Sequence, residues 1–159
     1  MKIRNGFVSN SSSSNFIVVF DKKPKSQDDL KKKLFPNQDV FPNPYPEFQD
    51  PKSWPTAQVV ATIWEMIKEQ KPNNKEAILD AISQGYYEGY PEMDLLKQGD
   101  FDEFEKAWKA GAEKLAKRFY LPNKFVYVFS FSDNDGEYWS ALEHGDTFEN
   151  VKHIRISCH

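Results

Sequence analysis

The 159-residue sequence contains a single cysteine, Cys158. One thiol excludes an internal disulfide and any zinc site built from several cysteines, and it suits a reducing compartment. No apolar run approaches the roughly 18 residues of a membrane span. The chain also lacks a basic excess, with 21 Lys and Arg against 24 Asp and Glu and a formal net charge of -3. Nucleic-acid binders carry the opposite balance, so no direct nucleic-acid partner is expected. Residues 1–6 bear charges but no apolar stretch follows them; five serines stand where a signal peptide would have its hydrophobic segment. The expectation is a soluble, cytoplasmic protein without membrane contact. There is no Gly-x-Ser-x-Gly elbow and no glycine–lysine phosphate loop.

What is present fits one globular domain, 1–159. The length suits a single hydrophobic core, and 15% aromatic residues argue against disorder. Residues 16–20, Phe-Ile-Val-Val-Phe, read as a strand covered on both faces. Residues 2–8 offer a partner strand or an extended arm. Ser26 is placed to cap a short helix over 27–35. Residues 21–35 hold six lysines and three aspartates, which make either a local basic patch or an ordinary solvated helix face.

Six prolines (36, 42, 44, 46, 51 and 55) make 36–55 a long irregular segment, interleaved with Phe41, Tyr45, Phe48 and Trp54. These aromatics either pin the segment to the domain or form a docking ligand. As a separable surface, it should tolerate deletion of residues 40–52 without loss of the fold. Helical periodicity then predicts helices over 57–70, over a segment capped by Asn73 with Glu76, and from Asp100 to 119 or 120. Residues 86–98 read as a connector. Residues 125–132 alternate cleanly, with Phe125, Tyr127, Phe129 and Phe131 on one side. Asp133-Asn134-Asp135-Gly136 reads as a turn and 138–142 as a returning strand. Residues 153–157 alternate again, with Ile154 and Ile156 inside and His153, Arg155 and Ser157 outside. The predicted class is α+β: a small mixed sheet of three to five strands, with about four helices mainly on one face.

Three groups of residues can carry chemistry. Ser11, Ser12, Ser13 and Ser14 precede the first core strand, and their hydroxyls and N–H groups can nest an anion; the plain alternative is a polar loop. Asp133 and Asp135 begin like a calcium loop, but position 12 is His144 and Glu143 misses it by one. A hairpin turn wants the same residues. Residues 133–149 hold six acidic groups and no Lys or Arg, with all three histidines in or just after the stretch. Glu143, His144 and His153 are the candidate acid–base groups or ligands, and Asp133, Asp135 and His144 the candidate divalent-metal ligands. On a straight strand His153 and His159 lie about 20 Å apart, too far to share an ion.

The N-terminal stretch Phe7-Val8-Ser9-Asn10-Ser11-Ser12-Ser13-Ser14-Asn15-Phe16 resembles the opening of a large set of small uncharacterised bacterial and bacteriophage proteins. Their signature is Ser-Asn-Ser-Ser-Ser-Ser-Ser-Phe, and Asn15 stands where its last serine falls. The stretches around Leu142-Glu143-His144-Gly145-Asp146 and His153-Ile154-Arg155-Ile156-Ser157-Cys158-His159 resemble one subgroup, with Cys158 in place of the first of two terminal histidines. The resemblance brings no activity with it. It implies a phage or mobile-element setting, and that the serine run is more than a linker. It also suggests that the serines meet Glu143 and His144 at one sheet edge, with Ser12 and His144 within two side-chain lengths.

Two functions follow as expectations. One is an accessory protein that binds and modulates another protein through 36–55 and the acidic 133–149 stretch. The other is a small metal- or anion-dependent, hydrolase-like enzyme using Glu143 and His144. Self-association through a sheet edge is a third arrangement.

Overall fold

In a computed structural model of the chain, residues 12–48, 50–85 and 99–158 are described. Ser11, the 2–8 arm, the 86–98 connector and His159 lie outside them.

The apolar run becomes the centre of the fold. β1 (Ser13–Phe20) lies between β4 (Phe125–Ser132) and β5 (Lys152–Ser157), antiparallel to both. The register sets Phe16 opposite Phe129 and Arg155, and Val18 opposite Tyr127 and His153. With a side-chain period of two, this divides the sheet into an aromatic and an aliphatic face. Phe16, Phe20, Tyr127, Phe129 and Phe131 form the aromatic face, which joins Phe148 in one cluster. Ile17, Val19, Val126 and Ile156 form the aliphatic face. Each large side chain buried here contributes about 1.5–3 kcal/mol relative to leaving it in water.

The α+β class is as expected, with helices on both faces rather than mainly on one. Helices α1 (Gln27–Leu34), α2 (Thr56–Lys68) and α5 (Glu137–His144) cover the aromatic face. The aliphatic face is covered by α3 (Lys75–Ser83) and α4 (Phe101–Phe119). The run Phe16 to Phe20 is apolar at every position and needs this two-sided cover. Ser26 caps α1 through the Asp29 N–H, as expected. The cap of α3 is Asn74 rather than Asn73. Asn73, at φ 58°, turns its amide to β4 instead: it donates to the Lys124 carbonyl and accepts from the Val126 N–H. Gln70 repeats the pattern at Val128, accepting from its N–H and donating to its carbonyl.

The proline-rich segment is not separable. It holds a small antiparallel pair, β2 (Val40–Pro42) and β3 (Ser53–Pro55), with Phe41 opposite Trp54 and both buried in the aromatic-side core. Asn43 closes the loop between them: its N–H donates to Lys52 O, and its amide donates to Pro51 O and accepts from Tyr45 N–H. Deleting residues 40–52 would remove Phe41 from the core, so the expectation that the fold survives this deletion is corrected. Phe41 and Trp54 are the pins; Phe48 stays 84% exposed.

The returning strand over 138–142 is also corrected. After a 3-10 turn at Asp133–Asp135, Gly136 at φ 116° leads into α5. Ser140, Ala141, Leu142 and Glu143 are buried in succession because the helix ends pressed between β4 and the Phe41 ring. A Cβ on Gly145, at its C-cap, would lie 2.7 Å from that ring. Eight residues rich in Tyr and Trp show too little period to mark a helix.

Candidate functional site

Pairing with β4 and β5 fixes where the serine run goes. Successive strand side chains point to opposite faces, so the run is split. Ser13 donates to the Cys158 carbonyl. Ser12 and Ser14 turn to α5 on the aromatic side. Among the described serines, Ser13 thus turns away from Ser12 and Ser14, and the two that share a face meet carboxylates.

Ser12 Oγ is the hub. It lies 3.1 Å from Asp133 Oδ2, 3.0 Å from Glu143 Oε2 and 3.0 Å from His144 Nε2. The Ser12 backbone is clamped as well: its N–H donates to Asp133 Oδ1 at 3.0 Å and its carbonyl accepts from the Asp133 N–H. Ser14 Oγ donates to Glu143 Oε1 at 3.0 Å and accepts from Arg155 Nε at 3.0 Å. Arg155 Nη2 lies 3.7 Å from Glu143 Oε1 and 3.4 Å from His144 Nδ1. The expected meeting of Ser12 and His144 is thus direct.

Donor counting gives the hub its character. A guanidinium only donates, so the His144 Nδ1 beside it accepts and Nε2 carries the ring proton. That proton points to Ser12 Oγ. The serine has one hydrogen to give, and two carboxylate oxygens stand within reach of it. One oxygen is left facing another acceptor. Two carboxylates and one guanidinium meet at the hub. Asp133, Glu143 and His144 each offer a ligand atom, all within 4.8 Å of one another. This group can hold a metal ion.

Glu143 sits against two local preferences. It is 1% exposed, and it lies in the last turn of α5, at the negative end of the helix dipole. Its charge reaches the other face of the sheet. Burial first, and then Glu143, push the Cys158 thiol above its ordinary value, against a backbone hydrogen bond from Asn15. A thiol held protonated is a poor nucleophile.

Not every predicted residue arrives. Asp135 is exposed in the 3-10 turn and lies outside the Asp133–Glu143–His144 group. His153 is exposed; its Nδ1 lies 2.9 Å from the Val151 carbonyl and its ring packs near Phe16 and Phe148. It points to the same face as Arg155, one pleat further from Ser14. Arg155 is the residue the sequence reading left unused, and its alternation with His153 on the outer side of β5 was the available signal.

Beside the hub lies a cleft of about 550 Å³, walled by Tyr45, Phe48, Asp133, Asn134, Ser140 and His144. The Tyr45 ring meets His144 edge-on at 5.6 Å. The proline-rich segment thus supplies one wall and α5 the other.

No family model, curated protein or solved structure matches the chain. Its chemistry must be read from these side chains. Among the described residues no helix is long and apolar enough to cross a membrane.

Proposed function

We propose that this protein is a small divalent-cation-dependent, hydrolase-like enzyme, with Asp133, Glu143 and His144 as the cation ligands and the adjoining cleft as the substrate site. One observation carries the reading: a single serine hydroxyl is shared by two carboxylates and an imidazole at 3.0–3.1 Å. A divalent cation would relieve that surplus of carboxylate oxygens, and His144 would ligate it through Nε2 with the ring proton moved to Nδ1. A set of two carboxylates and one imidazole suits Mn2+ or Zn2+. Such an ion would polarise a carbonyl or phosphoryl oxygen and make bound water nucleophilic near neutral pH. Glu143 at the negative end of α5 supports the reading, because breaches of local preference cluster at functional sites.

The test is calorimetric titration with Mn2+ and Zn2+, beside native mass spectrometry with and without a chelator. The wild type should bind one ion. Asp133→Asn and His144→Ala should lose it while keeping the wild-type circular dichroism spectrum. A wild type that takes up neither ion at millimolar concentration, or variants that bind as well as it does, would end this reading.

The accessory reading retains one supporting observation. Phe48 is 84% exposed on the wall of the same cleft, on the segment whose other aromatics are packed or half-packed. A partner protein docking there would cover it. Phe48→Asp should then abolish capture of that partner and leave cation binding intact.

A further inference from the structure

The cleft beside the Ser12 hub holds a polar group that nothing in the fold pairs. Three residues of α5, Glu137, Ser140 and His144, follow one another at intervals of three and four, so they form one stripe of the helix, and all three line the cleft. Ser140 is only 6% exposed. Its N–H donates to the Gly136 carbonyl, but its hydroxyl makes no hydrogen bond among the described residues. Other helical hydroxyls in the molecule turn back to the carbonyl four residues earlier, as Thr62 does to Gln58 and Ser83 to Leu79. Ser140 does not; it lines the cleft instead. Alanine is the better helix former and would bury no unpaired hydroxyl at this position.

The groups around Ser140 select the charge of what can pair with it. Glu137 is exposed, and its carboxylate has no hydrogen bond or ion pair among the described residues. No Lys or Arg lines the cleft among the described residues. The opposite wall is aromatic, with Tyr45 and Phe48, whose rings attract a cation as well as hydrocarbon. A carboxylate, a hydroxyl oxygen and two rings, with no positive charge beside them, are the partners of an ammonium group. Along α5, Ser140 stands one turn from His144, about 6 Å. An amine and a carbonyl on adjacent carbons span that step, with the amine at Ser140 and the carbonyl at the cation ligands.

We propose that this cleft takes the free amino end of a peptide or another α-aminoacyl amide: its ammonium on Ser140 Oγ and the Glu137 carboxylate, its side chain against Tyr45 and Phe48, and its first carbonyl toward Asp133 and His144. This names the substrate class of the hydrolase reading and rests on that reading. Hydrolysis adds water across the first amide bond: the water oxygen joins the carbonyl carbon, the C–N bond breaks, and a proton goes to the leaving nitrogen. Ser140 and Glu137 hold the ammonium and exchange no proton in that step.

The probes are phenylalaninamide, N-acetylphenylalaninamide, which carries no charge, and 3-phenylpropanamide, which has no amine. Calorimetry at pH 7, where an α-amino group is mainly charged, is run on chelator-treated protein and again with Mn2+. Phenylalaninamide should bind about tenfold more tightly than either control in both conditions. Ser140→Ala should weaken phenylalaninamide about tenfold and Glu137→Gln about threefold, with both controls unchanged. Ser140→Ala should leave Mn2+ affinity and melting temperature as in the wild type. With Mn2+ present, the wild type should release phenylalanine from phenylalaninamide and leave the acetylated probe intact. Selective amine binding without that release would keep the ammonium site and end the hydrolase reading. Equal affinity for the three probes, no binding at millimolar concentration, or phenylalaninamide affinity that survives both variants would overturn the inference.

Discussion

At its Ser12 end, β1 and the residue before it deliver two hydroxyls into a cluster of two carboxylates, an imidazole and a guanidinium drawn from the 3-10 turn after β4, α5 and β5. At its Phe20 end the same strand abuts an aromatic cluster where the Tyr127 hydroxyl has no hydrogen-bond partner among the described residues. The first end has too many acceptors for its protons; the second has a proton without an acceptor. Both lie on the aromatic side of one sheet and rest on the same core. The difference comes from the elements that close each end. The last turn of α5 brings Glu143 and His144 inward at Ser12, whereas the β1–α1 loop keeps Lys22 and Lys23 at the surface near Phe20.

Removing Glu143 should expose the contrast most strongly. Glu143→Ala leaves the buried Ser14 hydroxyl without its acceptor, while Ser12 keeps Asp133, and should cost about 1–3 kcal/mol in urea denaturation. Tyr127→Phe at the other end should cost nothing and gain up to about 1 kcal/mol. If the two variants lose similar stability, the ends are not different in kind. Ser14→Ala removes the bridge between Arg155 and Glu143, and should cost about 1–2 kcal/mol by the same measurement.

The charge balance at Ser12 predicts a gain. Arg155→Met removes the competing cation and frees His144 Nδ1 to carry the ring proton, turning the Nε2 lone pair inward. Mn2+ affinity should rise about three- to tenfold in calorimetry. A fall would mean that Arg155 assists the cation instead.

Alkaline unfolding is a smaller effect that reads the aromatic side. Burial raises the phenols of Tyr127 and Tyr138 above the ordinary 10.0, with a hydrogen bond from Thr62 opposing the shift at Tyr138. The folded state therefore holds these protons more tightly than the unfolded state. Their stabilisation is whole below pH 10 and is lost as pH rises through the folded-state values. Melting temperature measured from pH 8 to 11 should fall above 10, and fall less in Tyr127→Phe. Phe48→Asp, on the exposed wall of the cleft, should change stability by no more than about 0.5 kcal/mol.

The central elements could be read from the chain because their patterns are local. Phe16 to Phe20 is apolar at every step and becomes a strand covered on both faces; β4 alternates and becomes an edge strand with two distinct sides. Helix α5 could not be read, because Tyr138 and Trp139 favour strands and eight residues span only two turns. The approach of Ser12 to His144 came from the resemblance of both chain ends to one set of proteins, not from periodicity. Arg155 was passed over because its role depends on register: only pairing with Phe16 sets it, and not His153, next to Ser14 and Glu143. The two unsatisfied features, the crowded serine and the lone phenol, had no sequence signal, since each depends on what fails to lie nearby.

The amides of Gln70 and Asn73 have a consequence for how copies of this molecule meet. β4 is an outer strand, and a second chain could in principle dock its own backbone along it. The outward groups at Lys124, Val126 and Val128 are already taken, by two side chains that imitate the missing neighbour at alternate positions. Growth into a ribbon is stopped on that side by three residues of separation in the chain, without a proline or a charge in the strand itself.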